Sequence, residues 1–465
     1  MPELVPLILF GWLPLVLVLF AVLPGRRAVI WAAIAGCLFL PNAGYGIAGL
    51  PAYTKTSATH LSILLGTLIF DSGRILRFRP HWCDIPIVVF CVCPLVTGAL
   101  MGPNLYTGGQ LTMQQCVEWG LPFLIGRIYF RSLEDVRELA IGVVVGALLY
   151  VPLCLYEMKM SPSLHGIVYG LQSLSWGEVR RGGGWRPMVF LRHGLMLGVW
   201  MAAGSTIAFS LWRSRAVSRV LGIWAGLAAG LLIVVTLLCR STGASLLMLA
   251  AIAVIWLSVR QRLRWLALLL VLFPVMWTGF RSSGIWSGQR MLKMASMISP
   301  EREGSLWVRI SNEDAFAAKA LQRPIFGWGH NNDFRPDAEG LHHQKAITDG
   351  MWVIWFGRFG FVGLGSWILA MAIPPWRLLR AFPAAAWLHP RVAAAVALSV
   401  VLGIYQIDCL FNGFPQPVFV LAAGAILSLT VVRSAAPIAS KTTRRELQAT
   451  AIVPGKAVVI ANRGF

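Results

Sequence analysis

The chain has 465 residues, of which 57% are hydrophobic and only 13% are charged, and its mean hydropathy is +0.70. Soluble domains carry roughly 25% charged residues, so this composition excludes an ordinary soluble protein. The formal net charge of +21 does not indicate a nucleic-acid partner, because no nucleic-acid-binding motif accompanies it; basic cytoplasmic loops of a membrane protein account for about half of it.

Apolar runs recur along the chain, each near the roughly 20 residues that a membrane-spanning helix needs, and they lack the alternation of barrel strands. We therefore predict an all-α polytopic membrane protein with about 12–13 spans. The first run lacks a basic leader and a cleavage site, which favours an uncleaved span. The predicted spans cover residues 5–23, 28–46, 59–73, 85–101, 115–129, 139–156, 193–212, 220–238, 243–259, 265–279, 351–373, 392–410 and 417–432.

Arginines fall in alternate connections, which the positive-inside rule assigns to the cytoplasm together with a basic tail over 434–465. The membrane domain is then 1–433. The opposite connections face outward, and the two longest, 157–192 and 280–350, are nevertheless rich in basic residues. Topology does not explain these outer charges, so an anionic ligand is the simplest explanation. The arginine-rich connections lie at 26–27, 74–79, 127–137, 213–219, 260–264 and 377–391.

The first long outer loop ends in EVRRGGGWRPMVFLRHG. Glycines at 182–184 allow a ligand to approach the backbone closely, and guanidinium groups supply fixed positive charge. The alternative is a flexible loop whose arginines meet lipid head groups. The arginines concerned are Arg180, Arg181, Arg186 and Arg192.

Arg240, in LLCRSTGASLLML, is predicted at the outer membrane edge between two spans. It either extends its charge to the membrane surface or helps to bind an anion beside the start of the next helix. Further on, SLWVRISNEDAFAAKALQRPIFGWG predicts an amphipathic outer helix that ends before Pro324, with Leu306, Ile310, Ala317 and Leu321 on its apolar side. Arg309 in this helix either pairs with Glu313 at the i+4 spacing or binds phosphate oxygens.

His330, His342, His343 and Asp349 follow, just before the span that begins at 351. We interpret one of His342, His343 and Asp349 as a general base for a sugar hydroxyl. Zinc binding is the alternative, although the spacing matches no familiar zinc site, and loop packing is another. The eight cysteines form no CxxC pair and are predicted to be buried and free. No nucleotide-binding motif is visible, so the energy for a transfer must come with the substrate.

In this order the motifs resemble the O-antigen ligase and polymerase superfamily over roughly residues 177–424. The resemblance is carried by RRGGGWRP, CRSTGA, SLWVR, PIFGWG, and Asp349-Gly350 followed after nine residues by Gly360-Phe361-Val362-Gly363. Asp349 stands where lipopolysaccharide ligases carry their proposed catalytic histidine, so His342 or His343 is an alternative base.

The resemblance implies a metal-independent, cofactor-free glycosyltransferase of the bacterial inner membrane. Its donor would be an undecaprenyl-pyrophosphate-linked glycan and its acceptor a hydroxyl of a lipid or glycan at the outer leaflet. Arg181 or Arg186, Arg240 and Arg309 would hold the pyrophosphate, and Asp349, His342 or His343 would deprotonate the acceptor.

A transporter or flippase for an anionic or lipid-linked substrate is the alternative function. Transporters place ionisable groups near the bilayer midplane, often on broken helices. The sequence suggests that the charges cluster in the outer loops and that the deep spans are nearly free of them, which favours chemistry at the membrane surface.

Overall fold

The computed structural model describes residues 4–47, 49–100, 105–171, 179–181, 183–283, 297, 300–329, 334–336 and 350–435. At 300–306, 308–309 and 432–435 only the backbone is described. The structure is 77% helical, which confirms the all-α fold. Apolar residues in runs of this length form helices because a helix satisfies every backbone hydrogen bond within its own segment.

The α-helices of the described residues are numbered in chain order. They are α1 Leu4–Val22, α2 Gly25–Phe39, α3 Lys55–Phe70, α4 Ser72–Leu76, α5 Ile85–Leu100, α6 Leu105–Gln115, α7 Leu121–Tyr129, α8 Leu133–Met160, α9 Leu164–Tyr169, α10 Gly194–Arg213, α11 Ala225–Leu238, α12 Thr242–Gln261, α13 Trp265–Ser282, α14 Pro300–Leu321, α15 Met351–Ala381, α16 Ala393–Phe411 and α17 Pro417–Ala435. A π-helical turn, Cys116–Gly120, joins α6 to α7.

Three short antiparallel hairpins interrupt the helices. They are formed by β1 Gly44–Ile47 with β2 Leu50–Thr54, β3 Arg180–Arg181 with β4 Gly184–Trp185, and β5 Arg219–Val220 with β6 Ile223–Trp224.

Each predicted span overlaps a helix of the described chain, although those at 28–46 and 220–238 extend beyond α2 and α11 into hairpin residues. Eight of these helices are long and apolar enough to cross a membrane, with α5 extended to Trp82–Leu100 by a preceding short turn. The other five predicted spans overlap α2, α3, α7, α11 and α17. The chain is therefore a multi-pass helical membrane protein.

Ion pairs hold the arginine-rich connections together at one end of the bundle, which we call the basic end. Arg26, after α1, pairs with Asp135 and with Glu138 at the start of α8. Arg127, at the end of α7, donates through Nε to Asp84 Oδ1 at 2.8 Å. Ion pairs thus join the connections at 26–27 and 127–137 and the segment before α5. The connections at 260–264 and 377–391 also meet, since Arg264 Nη1 donates to the Arg380 carbonyl at 3.4 Å.

The loops predicted on the other side also meet, at the opposite end of the bundle. The Asn42 Nδ2 atom donates to the Phe190 carbonyl at 2.9 Å, and the Lys55 ammonium lies 3.4 Å from the same carbonyl. Arg186 Nη2 donates to the Arg240 carbonyl at 3.2 Å. These bonds join three separate outer connections.

Helix α15 is broken at Gly360, where φ is +61° and ψ is −158°. The segment PIFGWG, residues 324–329, lies against this break. Phe361 N donates to the Pro324 carbonyl at 2.7 Å, and Trp328 N donates to the Gly357 carbonyl at 2.9 Å. Two further bonds, Val362 N to Ile325 O and Gly329 N to Arg358 O, complete the contact. The backbone groups freed by the break are thus satisfied by a neighbouring segment, as a helix in lipid requires.

Helix α14 ends at Leu321, before Pro324, as the sequence predicts. Ile310 and Ala317 of its predicted apolar side are buried, whereas Leu321 is 46% exposed. The side chain of Leu306 lies outside the described residues. Glu313 accepts a hydrogen bond from Arg281 at the end of α13. Its predicted partner Arg309 has its side chain outside the described residues, so that pairing stays a prediction. The eight cysteines are free, and seven of them are buried, which confirms that prediction.

Candidate anion-binding cavity

A cavity of about 1310 Å³ opens at the end of the bundle opposite the basic end. Its walls come from the β1–β2 region, the starts of α3, α10, α12, α15 and α17, the end of α6 and the segment around β3 and β4. It is large enough for a ligand far bigger than a single phosphate ion.

Positive charge dominates the cavity wall. Five cationic side chains line it: Lys55, Arg181, Arg186, Arg192 and Arg358. Glu118 is the one carboxylate among the described residues of the wall. Arg186 is 9% exposed and lies deep, whereas Arg181 and Arg192 are exposed. Such an excess of cations in a concave, partly apolar site suits a polyanionic ligand.

Arg240 holds the β3–β4 hairpin at the rim of the cavity. Its Nη1 donates to the Arg181 carbonyl at 3.0 Å, and its own carbonyl accepts from Arg186 Nη2 at 3.2 Å. A side chain at Gly184 would meet the Arg240 guanidinium. Arg240 is exposed and is not among the lining residues, and it contacts the cavity wall through Arg181 and Arg186.

A buried carboxylate fixes the chain segment that follows the hairpin. Glu157, at the end of α8, is 0% exposed, and its Oε2 accepts from the backbone N–H groups of Met188 and Val189, both at 2.7 Å. Its Oε1 accepts from Leu164 N at 3.1 Å. Charge-assisted hydrogen bonds of this kind are about twice as strong as neutral ones. They hold the backbone between Arg186 and Arg192 in place.

Five helices begin at the cavity wall, and their unpaired amide groups add partial positive charge. Helix α10 is capped by His193, whose Nδ1 accepts from Leu195 N at 3.0 Å. The first residues of these helices that line the cavity are Lys55 of α3, Leu195 of α10, Thr242 of α12, Met351 of α15 and Pro417 of α17. Converging helix N-termini favour an anion between them.

The prediction that the deep spans are nearly free of charge is wrong. Arg358 lies inside α15, two residues before the break at Gly360, and Glu118 lies in the π-helical turn of a predicted span. The Nε of Arg358 is buried and has no hydrogen-bond partner within the described part of the chain. Its guanidinium lies 5.1 Å from the centre of the Phe334 ring. Folding brings these charges to the cavity, so neither is exposed to lipid.

The predicted site residues differ in where the structure places them and in whether it describes them. Arg181 and Arg186 line the cavity and Arg240 contacts both of them, as described above. The backbone of Arg309 belongs to α14, but its side chain lies outside the described residues, as do Asp349, His342, His343 and His330. The described chain resumes at Gly350, immediately before Met351 on the cavity wall.

Four charged residues of this region escaped the sequence reasoning: Lys55, Glu118, Glu157 and Arg358. A usable signal existed for Glu118 and Arg358, because an ionisable residue within an apolar run is a functional candidate by default. Nothing local marked Lys55 or Glu157, whose partners lie 135 and 31 residues away in the chain. Among the described residues, no group of three or more His, Cys, Asp or Glu is arranged to hold a metal ion.

The chain matches no protein-family profile, and no curated protein is significantly similar to it.

Proposed function

We propose that this protein transfers or polymerises a glycan carried on undecaprenyl pyrophosphate, joining it to a hydroxyl of a lipid or glycan acceptor. The reaction would take place at the outer leaflet of the bacterial inner membrane. The single observation that carries the proposal is the cationic cavity at the end of the bundle opposite the basic end. By the positive-inside rule, that end faces outward, where lipid-linked glycans are used.

The cavity chemistry suits a pyrophosphate donor. Arg181 and Arg186 line the wall, and guanidinium groups bind phosphate oxygens in a planar, two-pronged way. Preorganised cations in a site shielded from water stabilise negative charge as it develops on a leaving pyrophosphate. Apolar wall residues, among them Ile354 and Trp355 of α15, suit the adjoining isoprenoid chain. Arg240 would act by holding the Arg181 backbone in place.

The proposal is tested by measuring glycan transfer by the purified protein in lipid vesicles. The donor is lipid-linked glycan extracted from cells lacking this chain, and the product is glycan attached to the acceptor fraction. We expect wild-type protein to form product without a nucleotide or an ion gradient. An absence of product with every glycan acceptor of the source cells would contradict the proposal.

Arg186→Lys tests the proposed contact between Arg186 and the pyrophosphate. Lysine keeps the positive charge but lacks the planar guanidinium group that can donate two hydrogen bonds to phosphate. We therefore expect binding of undecaprenyl pyrophosphate to weaken about 10-fold or more, as loss of a charge-assisted hydrogen bond would produce. Arg180→Lys is the matched control, because Arg180 is exposed beside the cavity and does not line it. Equal binding by both variants would remove Arg186 from the proposed site.

One observation favours a transporter or flippase as a second candidate. A helix broken within the membrane, with Arg358 two residues before the break and Glu118 in another span, is a feature of transporters. The same vesicles distinguish the two functions. A transporter would move the lipid-linked glycan between leaflets and leave its glycosidic bond intact, whereas a transferase would release undecaprenyl pyrophosphate.

A further inference from the structure

The cavity wall contains a carboxylate, the kind of group that can accept a proton. Glu118 is the one carboxylate that the described residues contribute to the wall. It lies in the π-helical turn Cys116–Gly120, and such turns occur frequently at functional sites because they displace one side chain from the regular helix pattern.

Two contacts hold this turn. His60 of α3 contacts the Val117 carbonyl through Nδ1 at 2.9 Å, so that nitrogen donates the hydrogen bond. Gln114 Nε2 donates to Glu118 Oε1 at 2.9 Å, which occupies one carboxylate oxygen. Trp119, the next residue, is fully buried against the rings of Phe90 and Trp355. The turn is thus anchored on both sides of Glu118.

The charges around Glu118 match a role in proton transfer. Arg358 and Arg192 line the same cavity as Glu118, together with Arg181 and Arg186. A substrate in the cavity would therefore meet guanidinium groups and a carboxylate together, the combination that a transfer from pyrophosphate to a hydroxyl needs.

We propose that Glu118 is the general base that deprotonates the acceptor hydroxyl; this inference rests on the proposed transfer function. The acceptor O–H proton passes to the Glu118 carboxylate as the acceptor oxygen bonds to the anomeric carbon. The bond between that carbon and the pyrophosphate oxygen breaks, and its electron pair stays on the pyrophosphate. Arg181 and Arg186 stabilise that charge. No further reactant is required.

His60 and His193, the histidines that the described residues contribute to the cavity wall, are weaker candidates. His193 accepts a backbone hydrogen bond through Nδ1, so the neutral ring carries its proton on Nε2 and has no lone pair for the acceptor. His60 keeps a lone pair on Nε2, but its ring is only 2% exposed. We assign His60 the role of positioning the turn through the Val117 carbonyl.

Glu118→Gln tests this assignment. Glutamine keeps the shape of the side chain and can still bond Gln114, but it cannot accept the proton. We expect the rate of transfer to fall about 100-fold or more, the usual range for loss of a general base, with binding of undecaprenyl pyrophosphate changed less than about 3-fold. Glu118→Asp should retain part of the rate because it keeps a carboxylate.

Glu134→Gln is the matched control, since Glu134 is an exposed carboxylate at the basic end that pairs only with Arg137 among the described residues. It should transfer at the wild-type rate. If Glu118→Gln transfers at more than half the wild-type rate, the general-base assignment is overturned and the transfer function stands. If Glu118→Gln loses binding as strongly as turnover, Glu118 serves as a structural partner of the arginines. If wild-type protein forms no product, the proposed function itself fails.

Discussion

Charged side chains of this protein fall into two groups, those paired with each other in the packing and those that line the cavity. Arg127 and Asp84 are bonded to each other at the basic end, with the arginine 4% exposed. Arg281 and Glu313 form a similar pair between α13 and α14. Among the described residues of the cavity wall, by contrast, five cations are accompanied by one carboxylate. An excess of one sign of charge in a partly buried site is costly to keep, and an anionic ligand would offset that cost.

Glu313 carries a pH dependence that stability measurements can detect. Burial raises the pKa of its carboxyl group to about 7, although Arg281 opposes the shift. The unfolded chain releases this proton near its ordinary value of 4.5. Between these pH values the folded protein binds more protons than the unfolded chain. The stabilisation is therefore complete below about pH 4.5 and is lost as pH rises to about 7.

We expect the thermal midpoint of the detergent-solubilised protein to fall as pH rises from 5 to 7, since each pKa unit corresponds to about 1.4 kcal/mol. The side chain of Glu313→Gln has no proton to release, so the fall of the thermal midpoint between pH 5 and 7 should be smaller in this variant by the contribution of Glu313. The comparison is made by differential scanning fluorimetry of both proteins across the same buffers. Parallel pH profiles would show that Glu313 does not titrate in this interval.

At the scale of elements, the break in α15 joins two motifs that are far apart in the chain. The backbone at Gly360 has a positive φ, and a side chain there would collide with the backbone of Ile325 and Pro324. Gly327, with φ +67°, likewise lies against the backbone of Arg358. The PIFGWG segment and the break therefore form one unit, and this unit places Arg358 at the cavity.

Gly360→Ala should destabilise the protein by about 1–3 kcal/mol, because it adds both a clash and an unfavourable backbone conformation. It should also weaken binding of undecaprenyl pyrophosphate, since Arg358 lies two residues away. Gly365→Ala, in the same helix, has open space around it and should be neutral or stabilising by up to about 1 kcal/mol. The thermal midpoint and lipid binding are measured for both. Similar behaviour of the two variants would contradict the role given to the break.

At the scale of the whole molecule, function depends on which end of the bundle faces out. The arginine-rich connections gather at one end and the cavity opens at the other, and the positive-inside rule then orients the cavity toward the outside. A cavity opening into the cytoplasm would meet a different set of substrates.

Cysteine labelling tests this orientation. Seven of the eight native cysteines are buried, so background labelling should be low. With a membrane-impermeant maleimide on intact cells, Arg180→Cys, beside the cavity, should react. Glu134→Cys, at the basic end and 62% exposed in the side chain of the native residue, should react only after permeabilisation. The reverse pattern would place the cavity inside the cell and exclude transfer at the outer leaflet.

Sequence by itself determined the fold class, the positions of the spans and the grouping of the loops. These properties follow from local composition, because an apolar run long enough to cross a bilayer has to be helical and its flanking arginines prefer one side. It also identified Arg181 and Arg186, whose neighbours in RRGGGWRP form a recognisable pattern.

Only the tertiary structure decided which charges share one cavity. Lys55, Glu118, Arg192 and Arg358 come from four separate segments, and no local pattern specifies that they converge. The pair between Arg281 and Glu313 could not be predicted from spacing either, because the i+4 rule considers one helix and this pair forms between two. Long-range packing sets the distances between these charged side chains, since it depends on how every helix fits against its neighbours.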